Sequence, residues 1–352
     1  MIEVRTCARL HLGLLDNNGE QGRLYGSIGL AVSRPNLLLR AEPADKLLVE
    51  GLDAERVATY AQRFMHHYGV PSGAHLNLIA AIPAHVGLGS GTQLGLAVGS
   101  ALARLAGLRL SVQDIAFAVG RGLHSGIGIA TFQHGGFVLD GGRRIIAQPA
   151  HPPDAILSNG ENRQIDTGRV PPVLMKHSMP KDWFFVAAIP DTSKGFSGEK
   201  ENRAFLQLPE APSRVVEKIS WVLLMKMLPA LIEKDIASFG RALTSIQSMV
   251  GDCFASVQGG RFSNPISEKI VDFLLDRGAA GVGQSSWGPT VYGLIQGRNQ
   301  ARQLAKKVGA FMAELGGGQI LCLQPQNRGA QVRLIRSADT KDAYEEDTYS
   351  VG

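Results

Sequence analysis

Two periodicities alternate along the chain. Every second residue is apolar over Ile2–Leu15, Tyr25–Val32 and Leu37–Glu42, which predicts strands, with a further short one at Leu47–Val49. Asp16-Asn17-Asn18-Gly19, between the first two, has the composition of a hairpin turn. The period lengthens over Ala54–Tyr68, predicting a helix that Gly69-Val70-Pro71-Ser72-Gly73 closes, and a strand follows at His75–Ile82. Leu94–Leu105 predicts an apolar helix whose Gly95 and Gly99, one turn apart, allow close packing. Ser111, with Asp114 three residues on, opens another helix with a capping-box start. Gly135–Leu139 reads as a strand, and residues 148–182, rich in Pro, Asn and His, as a link that includes a strand within Val170–Lys176. Beyond it come a buried strand at Trp183–Ile189 and helices at Ile219–Leu231, Ile236–Met249 and Ile266–Arg277. A strand at Thr290–Ile295, a helix at Asn299–Leu315 and strands at Ile320–Leu323 and Val332–Ile335 complete the pattern. It divides into residues 1–165, residues 166–336 and a polar, acidic tail, 337–352, expected to be mobile.

With 352 residues and 44% apolar content, the chain has material for two cores of ordinary size. A formal charge of +5 is compatible with an anionic ligand. There is no Lys/Arg run and no interleaving of basic and aromatic residues, which argues against nucleic acid. Cys7, Cys253 and Cys322 are scattered, and neither CxxC nor HExxH occurs, so a structural zinc site is not expected. Three free thiols point to a reducing cytoplasm. The apolar run Leu94–Leu108 is broken by Arg104 and too short to cross a bilayer, so no membrane association is expected. The 42 glycines call for loops where backbone is approached closely.

The densest such loop is Gly87-Leu88-Gly89-Ser90-Gly91-Thr92, between a predicted strand and an apolar helix. Backbone N–H groups freed by glycine, together with the positive end of a helix dipole, make an anion site or, on the plainer reading, a tight turn. The loop has no Lys after it and lacks Rossmann spacing, so neither a Walker nor a dinucleotide loop is read.

Pro83-x-x-x-Gly87-Leu88-Gly89-Ser90 resembles the central signature of the GHMP-kinase superfamily, where this loop wraps a nucleotide's phosphates. Ala8-Arg9-Leu10-His11-Leu12-Gly13 looks like its first motif, and Gly281-Val282-Gly283-Gln284-Ser285-Ser286-Trp287-Gly288 like its third glycine-rich loop. The resemblance spans residues 1–335. It implies an α+β two-domain fold, with an N-terminal α/β domain containing a left-handed βαβ unit, a C-terminal ferredoxin-like domain and the site in the cleft between them.

Many of these kinases carry a catalytic aspartate in a Pro-Ser-Gly-x-Asp segment. The matching stretch here is His124-Ser125-Gly126-Ile127-Gly128, with Gly128 in the aspartate's place. Either another carboxylate substitutes and the protein is an ATP-dependent small-molecule kinase, or the reaction is different. A non-catalytic ligand-binding relative is the third reading. Several segments favour the second reading by resembling the β-ribofuranosylaminobenzene 5′-phosphate synthases, a branch of the superfamily. They are Arg9–Asp16, Gly22-Arg23-x-x-Gly26-Ser27-Ile28-Gly29-Leu30, His85–Gln93, Gly122–Gly128, Gly195–Glu199 and Gly283–Pro289.

That resemblance implies a pentosyl transfer from phosphoribosyl pyrophosphate to 4-hydroxy- or 4-aminobenzoate with loss of CO2, in methanopterin synthesis. A homodimer is plausible. The donor's pyrophosphate is expected at Gly87, Leu88, Gly89, Ser90, Gly91 and Thr92 and at Gly283, Gln284, Ser285 and Ser286. Arg9, Ser27, Ser125 and Ser197 are expected to bind substrate. A Mg²⁺ on the pyrophosphate is expected, with Asp16 or Glu199 as ligand. His11, His124 and His134 are the candidates for a base near the acceptor. Asp16 equally suits a hairpin turn, and Glu199 a helix cap.

Overall fold

In a computed structural model the protein is described over residues 1–70, 73–146, 157–158, 163–192, 195–196 and 198–335. Ser197 and the acidic tail lie outside the described residues. Strands β1 (Ile2–Asp16), β2 (Arg23–Pro43) and β3 (Leu47–Gly51), helix α1 (Ala54–Tyr68) and strand β4 (Ala74–Ala80) open the chain. Helices α2 (Ser90–Leu105), α3 (Val112–Ala118) and α4 (Ile127–His134) precede strands β5 (Phe137–Asp140), β6 (Arg143–Ile146), β7 (Leu157–Ser158), β8 (Arg163–Ile165), β9 (Val173–His177) and β10 (Trp183–Pro190). Then come α5 (Glu199–Gln207), α6 (Ser213–Val222), a π-helical turn (Leu223–Met227), α7 (Leu228–Glu233), α8 (Ile236–Gln258), α9 (Pro265–Asp276), β11 (Gly281–Gln284), β12 (Val291–Gln296), α10 (Arg298–Glu314), β13 (Gly318–Leu323) and β14 (Gln331–Leu334).

The long hairpin β1–β2 is the spine of the first sheet. β2 also pairs with β4, β5 and β6, and β5 with β9. β3 and β4 run parallel on either side of α1, a βαβ unit in an otherwise antiparallel sheet. On β1, Leu10 and Leu12 are fully buried in the core, so the alternating positions Arg9, His11 and Gly13 face the other way, where all three line a cavity. α2 is buried along most of its length. A Cβ at Gly95 would lie 3.1 Å from Val119 Cγ2, and one at Gly99 would strike Ile115 and Phe64, so the two glycines let α1 and α3 close onto α2. The Ser111–Asp114 capping box forms as expected.

The second sheet is antiparallel, in the order β11-β12-β10-β13. Its central strand β10 is apolar on both faces. Trp183, Phe185, Ala187 and Ile189 join the main core with Phe239 and Ile246 of α8, and Phe184, Val186 and Ala188 pack under α9 and α10. Sheet membership departs from the expected boundary at 165/166. β9 and β14 both belong to the first sheet, and β14 pairs with β1 from Ile2↔Leu334 to Arg5↔Gln331. The last described strand is therefore stitched to the first.

Candidate active site

The glycine loop leaves β4 and enters α2. Gly87 and Gly89 have φ of 84° and 80°, in the left-handed region that suits glycine. Its carbonyls are held from outside. Arg9 N donates to Leu88 O at 3.1 Å, and the Arg9 Nη1 and Ser285 Oγ groups both donate to Gly87 O, the latter at 2.6 Å. Ser285 Oγ also accepts from His11 N at 2.9 Å. Ser285 is fully buried, so this hydroxyl staples the third loop to the first and second. Ser285 was expected to bind the donor; its hydroxyl donates to one backbone group and accepts from another.

The space above the loop is filled by two guanidinium groups. A Cβ at Gly89 would lie 2.8 Å from Arg9 Cγ, and one at Gly91 would lie 2.8 Å from an Arg121 terminal nitrogen. Of the residues Gly87 to Thr92, only Thr92 reaches the adjoining cavity, of about 440 Å³, which Arg9, Arg63 and Arg121 also line. The Arg9 and Arg121 side chains thus lie against the loop glycines that were expected to bind the donor. Of the third loop, Gln284 and Ser286 reach the cavity and Gly283 does not.

One carboxylate answers these cations from within. Glu201 of α5 lines the cavity, and none of the described ion pairs involves it. Burial lowers Arg9 and Arg121 to about 10, partly offset by Glu201, so both stay charged at neutral pH. Burial raises the Glu201 carboxyl, opposed by the charges of Arg9 and Arg121. Glu199, two residues earlier, is at the rim and pairs with Arg203 at 3.5 Å in the open. Asp16 does not line the cavity; its Oδ1 accepts from Asn18 N at 2.7 Å and Gly19 N at 2.9 Å, the turn role.

The three histidines have different places. His11 lines the cavity, and burial followed by the Arg9 charge lowers it to about 3, so its ring is neutral. His124 is lowered to about 4, chiefly by burial. Its Nε2 donates to Asn202 Oδ1 at 2.9 Å, and its ring stacks on Phe205 at 4.3 Å between centroids. His134 closes α4 and lies outside the cavity lining. Ser125 lines the cavity, with its Oγ accepting from Ile127 N at 3.2 Å, whereas Ser27 is wholly buried in β2 away from the lining.

Part of the lining is aromatic, from Phe205, Phe254 and Trp287. Trp287 lies 5.3 Å from Phe205 and 4.7 Å from Phe254, ring to ring, and Phe205 lies 5.3 Å from Tyr25. The 122–128 segment that carries His124 and Ser125 is fixed by Asp140, whose carboxylate accepts from Gly126 N at 3.0 Å and Gly142 N at 2.9 Å. Desolvation raises Asp140 to about 6 despite those bonds.

Sequence reasoning missed Arg121, Glu201, Phe205 and Phe254. Arg121 stands in Gly120-Arg121-Gly122, directly before the segment that carries the resemblance, and that spacing was the available signal. Glu201 and Phe205 share the cavity face of α5 at a four-residue interval, legible only once the helix is drawn.

A family model of the GHMP kinases N terminal domain matches residues 54–136, and one of the GHMP kinases C terminal matches residues 227–314. Proteins named β-ribofuranosylphenol 5′-phosphate synthase from Methanothermobacter thermautotrophicus and Archaeoglobus fulgidus are each 34% identical over 337 residues. These alignments cover 93% and 95% of this chain and 97% and 100% of the relatives. Among solved structures, homoserine kinase from Cytophaga hutchinsonii has a TM-score of 0.64 at 17% identity, covering 94% of this chain and 97% of that one. Mevalonate pyrophosphate decarboxylase from Streptococcus pyogenes has a TM-score of 0.63 at 14% identity, covering 93% and 97%. These structures share the fold, while the near-full-length relatives share the sequence as well: the chain belongs to the β-ribofuranosylphenol 5′-phosphate synthase family of the GHMP-kinase superfamily.

Proposed function

We propose that the protein joins C1 of phosphoribosyl pyrophosphate to the carboxylate-bearing ring carbon of 4-hydroxybenzoate, releasing pyrophosphate and CO2. The product is then the phenol C-riboside phosphate for which the relatives are named; 4-aminobenzoate is the acceptor to compare. The observation that carries the reading is the pair of guanidinium groups lying on Gly89 and Gly91. They fill space over the loop and offer charge and directed N–H donors to a pyrophosphate.

The C1–oxygen bond breaks with its electron pair going to pyrophosphate, whose growing charge Arg9 and Arg121 stabilise, with Thr92 at the loop's edge. The ring carbon supplies the pair for the new C–C bond, pushed by the 4-hydroxyl. The carboxylate carbon then leaves as CO2, its bonding pair returning to the ring, and no net proton is consumed. His11 follows Arg9 on the same face of β1 and is neutral, so it can sit beside a cationic C1 without repelling it. Gly128 in place of a carboxylate suits an acceptor with no hydroxyl proton to lose at the attacking atom.

Glu201 fits a Mg²⁺ bound mainly through the donor's pyrophosphate, one protein carboxylate plus substrate oxygens being usual for this ion, which would neutralise the leaving group's charge. Purified protein with Mg²⁺ should release label from carboxyl-labelled 4-hydroxybenzoate only when phosphoribosyl pyrophosphate is added. Silence with both benzoates, or phosphate transfer from ATP to an alcohol, would overturn the assignment.

A further inference from the structure

The cavity has two chemically different ends, and β1 runs between them. Arg9 lies on the glycine loop, His11 and Gly13 follow along the same wall, and Leu14 packs with Tyr25, Phe205 and Phe254. At roughly 3.3 Å per residue, Arg9 and Leu14 are about 16 Å apart along the strand, enough for a sugar diphosphate and an aromatic ring end to end. Arg121 stacks over Tyr60 at 5.0 Å, on the side of the loop and α1. Helix α5 spans the same interval. Glu201 feels the charges of Arg9 and Arg121, Asn202 holds His124, and Phe205 reaches Phe254 of α8 and Trp287 after β11.

Phe205 is the centre of the ring cluster. It contacts Tyr25, His124, Phe254 and Trp287, yet is only partly buried and lines the cavity. Trp287 is 4% exposed and lines it too. His124 lies almost parallel to Phe205, with 22° between the rings, and its bond to Asn202 ties it to the same helix. The Phe205 ring is thereby fixed from behind while the cavity stays in front of it. A ring of fixed plane, with Trp287 and Phe254 set nearly perpendicular to it at 82° and 85°, binds a flat π-system by offset stacking or edge contact, and it discriminates against a puckered ring of equal charge.

We infer that Phe205, Phe254 and Trp287 form the acceptor subsite, that Phe205 is its specificity-determining residue, and that His124 is the positioning residue that sets the plane of Phe205. The inference rests on the donor and acceptor proposed above and adds the direction of binding. The acceptor's carboxylate end points along β1 toward His11 and the donor, and the 4-substituent points away from Arg9 and Arg121.

The test is equilibrium binding to the full chain by calorimetry, free and saturated with pyrophosphate, which needs no turnover. Wild type should bind benzoate at least about tenfold more tightly than cyclohexanecarboxylate. Phe205→Leu should collapse that preference and weaken 4-hydroxybenzoate roughly tenfold, leaving pyrophosphate affinity within about twofold. Arg121→Gln should do the opposite. His124→Ala should reproduce the acceptor defect and His124→Phe should restore affinity, because a ring and not a base is required. Equal weakening of both ligands by Phe205→Leu, no preference for the flat ring in wild type, or no benzoate binding at all would overturn the inference. Flat-ring preference that depends on Phe205 in a protein that releases no CO2 would uphold the subsite and sink the reaction. CO2 release indifferent to Phe205 would do the reverse.

Discussion

Gly128 occupies the first turn of α4 against the first turn of α2, and its environment separates sterics from charge. A Cβ there would lie 2.9 Å from Thr92 Cγ2, while the Gly128 carbonyl accepts from Gln93 Nε2 at 2.8 Å. Its φ is not in the left-handed region, so contact with Thr92, and not backbone angle, is the constraint. Gly128→Ala and Gly128→Asn should each lose about 1–3 kcal/mol of stability by overpacking. Gly128→Asp adds a negative charge to the donor's cavity and should raise the KM for phosphoribosyl pyrophosphate roughly tenfold beyond Asn, an effect that added salt reduces. Equal KM values for Asp and Asn would remove the electrostatic explanation of why a glycine stands here. At this scale the sequence reports which residues lack a Cβ but not what fills the gap. Gly89 and Gly91 read as room for phosphate, and the occupants are Arg9 and Arg121, more than twenty residues away from the loop in either direction.

Among the elements, α5 was the least legible and is the most consequential. Strands such as β10 and helices such as α2 announce themselves because their apolar pattern is set by deep burial. α5 is nine residues long and buries only Ala204 fully, and α4 is eight residues long, so neither offers the long apolar run that marks α2. Of the two acidic residues expected as Mg²⁺ ligands, Asp16 holds a turn and Glu199 is exposed, while Glu201, half a turn after Glu199, feels the charges of Arg9 and Arg121. Glu201→Gln and Glu199→Gln therefore form a matched pair. Mg²⁺ titration of CO2 release should show the half-saturating concentration raised about tenfold in Glu201→Gln and unmoved in Glu199→Gln. Without Mg²⁺ the sign reverses: removing one negative charge beside two guanidinium groups should tighten pyrophosphate binding. A Glu201→Gln variant that weakens pyrophosphate with and without Mg²⁺ would mark Glu201 as a support for α5 instead of a metal ligand.

At the scale of the whole molecule, the return of β14 to β1 and the packing of α8 against both β1 and β11 were not legible, because pairing between distant segments leaves no periodic trace in either one. The same burial that joins the two sheets around the cavity has a consequence for pH. His11 and His124 are held neutral to about 3 and about 4, against an ordinary value of 6.5. Between those values the unfolded chain binds protons that the folded chain refuses, so acidification from 6.5 destabilises the fold. Asp140 works in the other direction. Its carboxyl is raised from 3.8 to about 6, so from 6 down to 3.8 the folded chain takes its proton first and gains stability. At pH 5 each histidine costs about 2 kcal/mol relative to pH 7 and Asp140 returns about 1.4, leaving a net loss of about 2–3 kcal/mol. Tm should therefore fall by about 5 °C or more between pH 7 and pH 5. The assignment to particular residues is checked by slopes. Over pH 5–6.5, His124→Asn should flatten the decline of Tm by removing one refused proton, and Asp140→Asn should steepen it by removing the one group that opposes it. If His124→Asn leaves the slope untouched, His124 is protonated in the folded protein, and a neutral ring stacked on Phe205 is the wrong description of that end of the cavity.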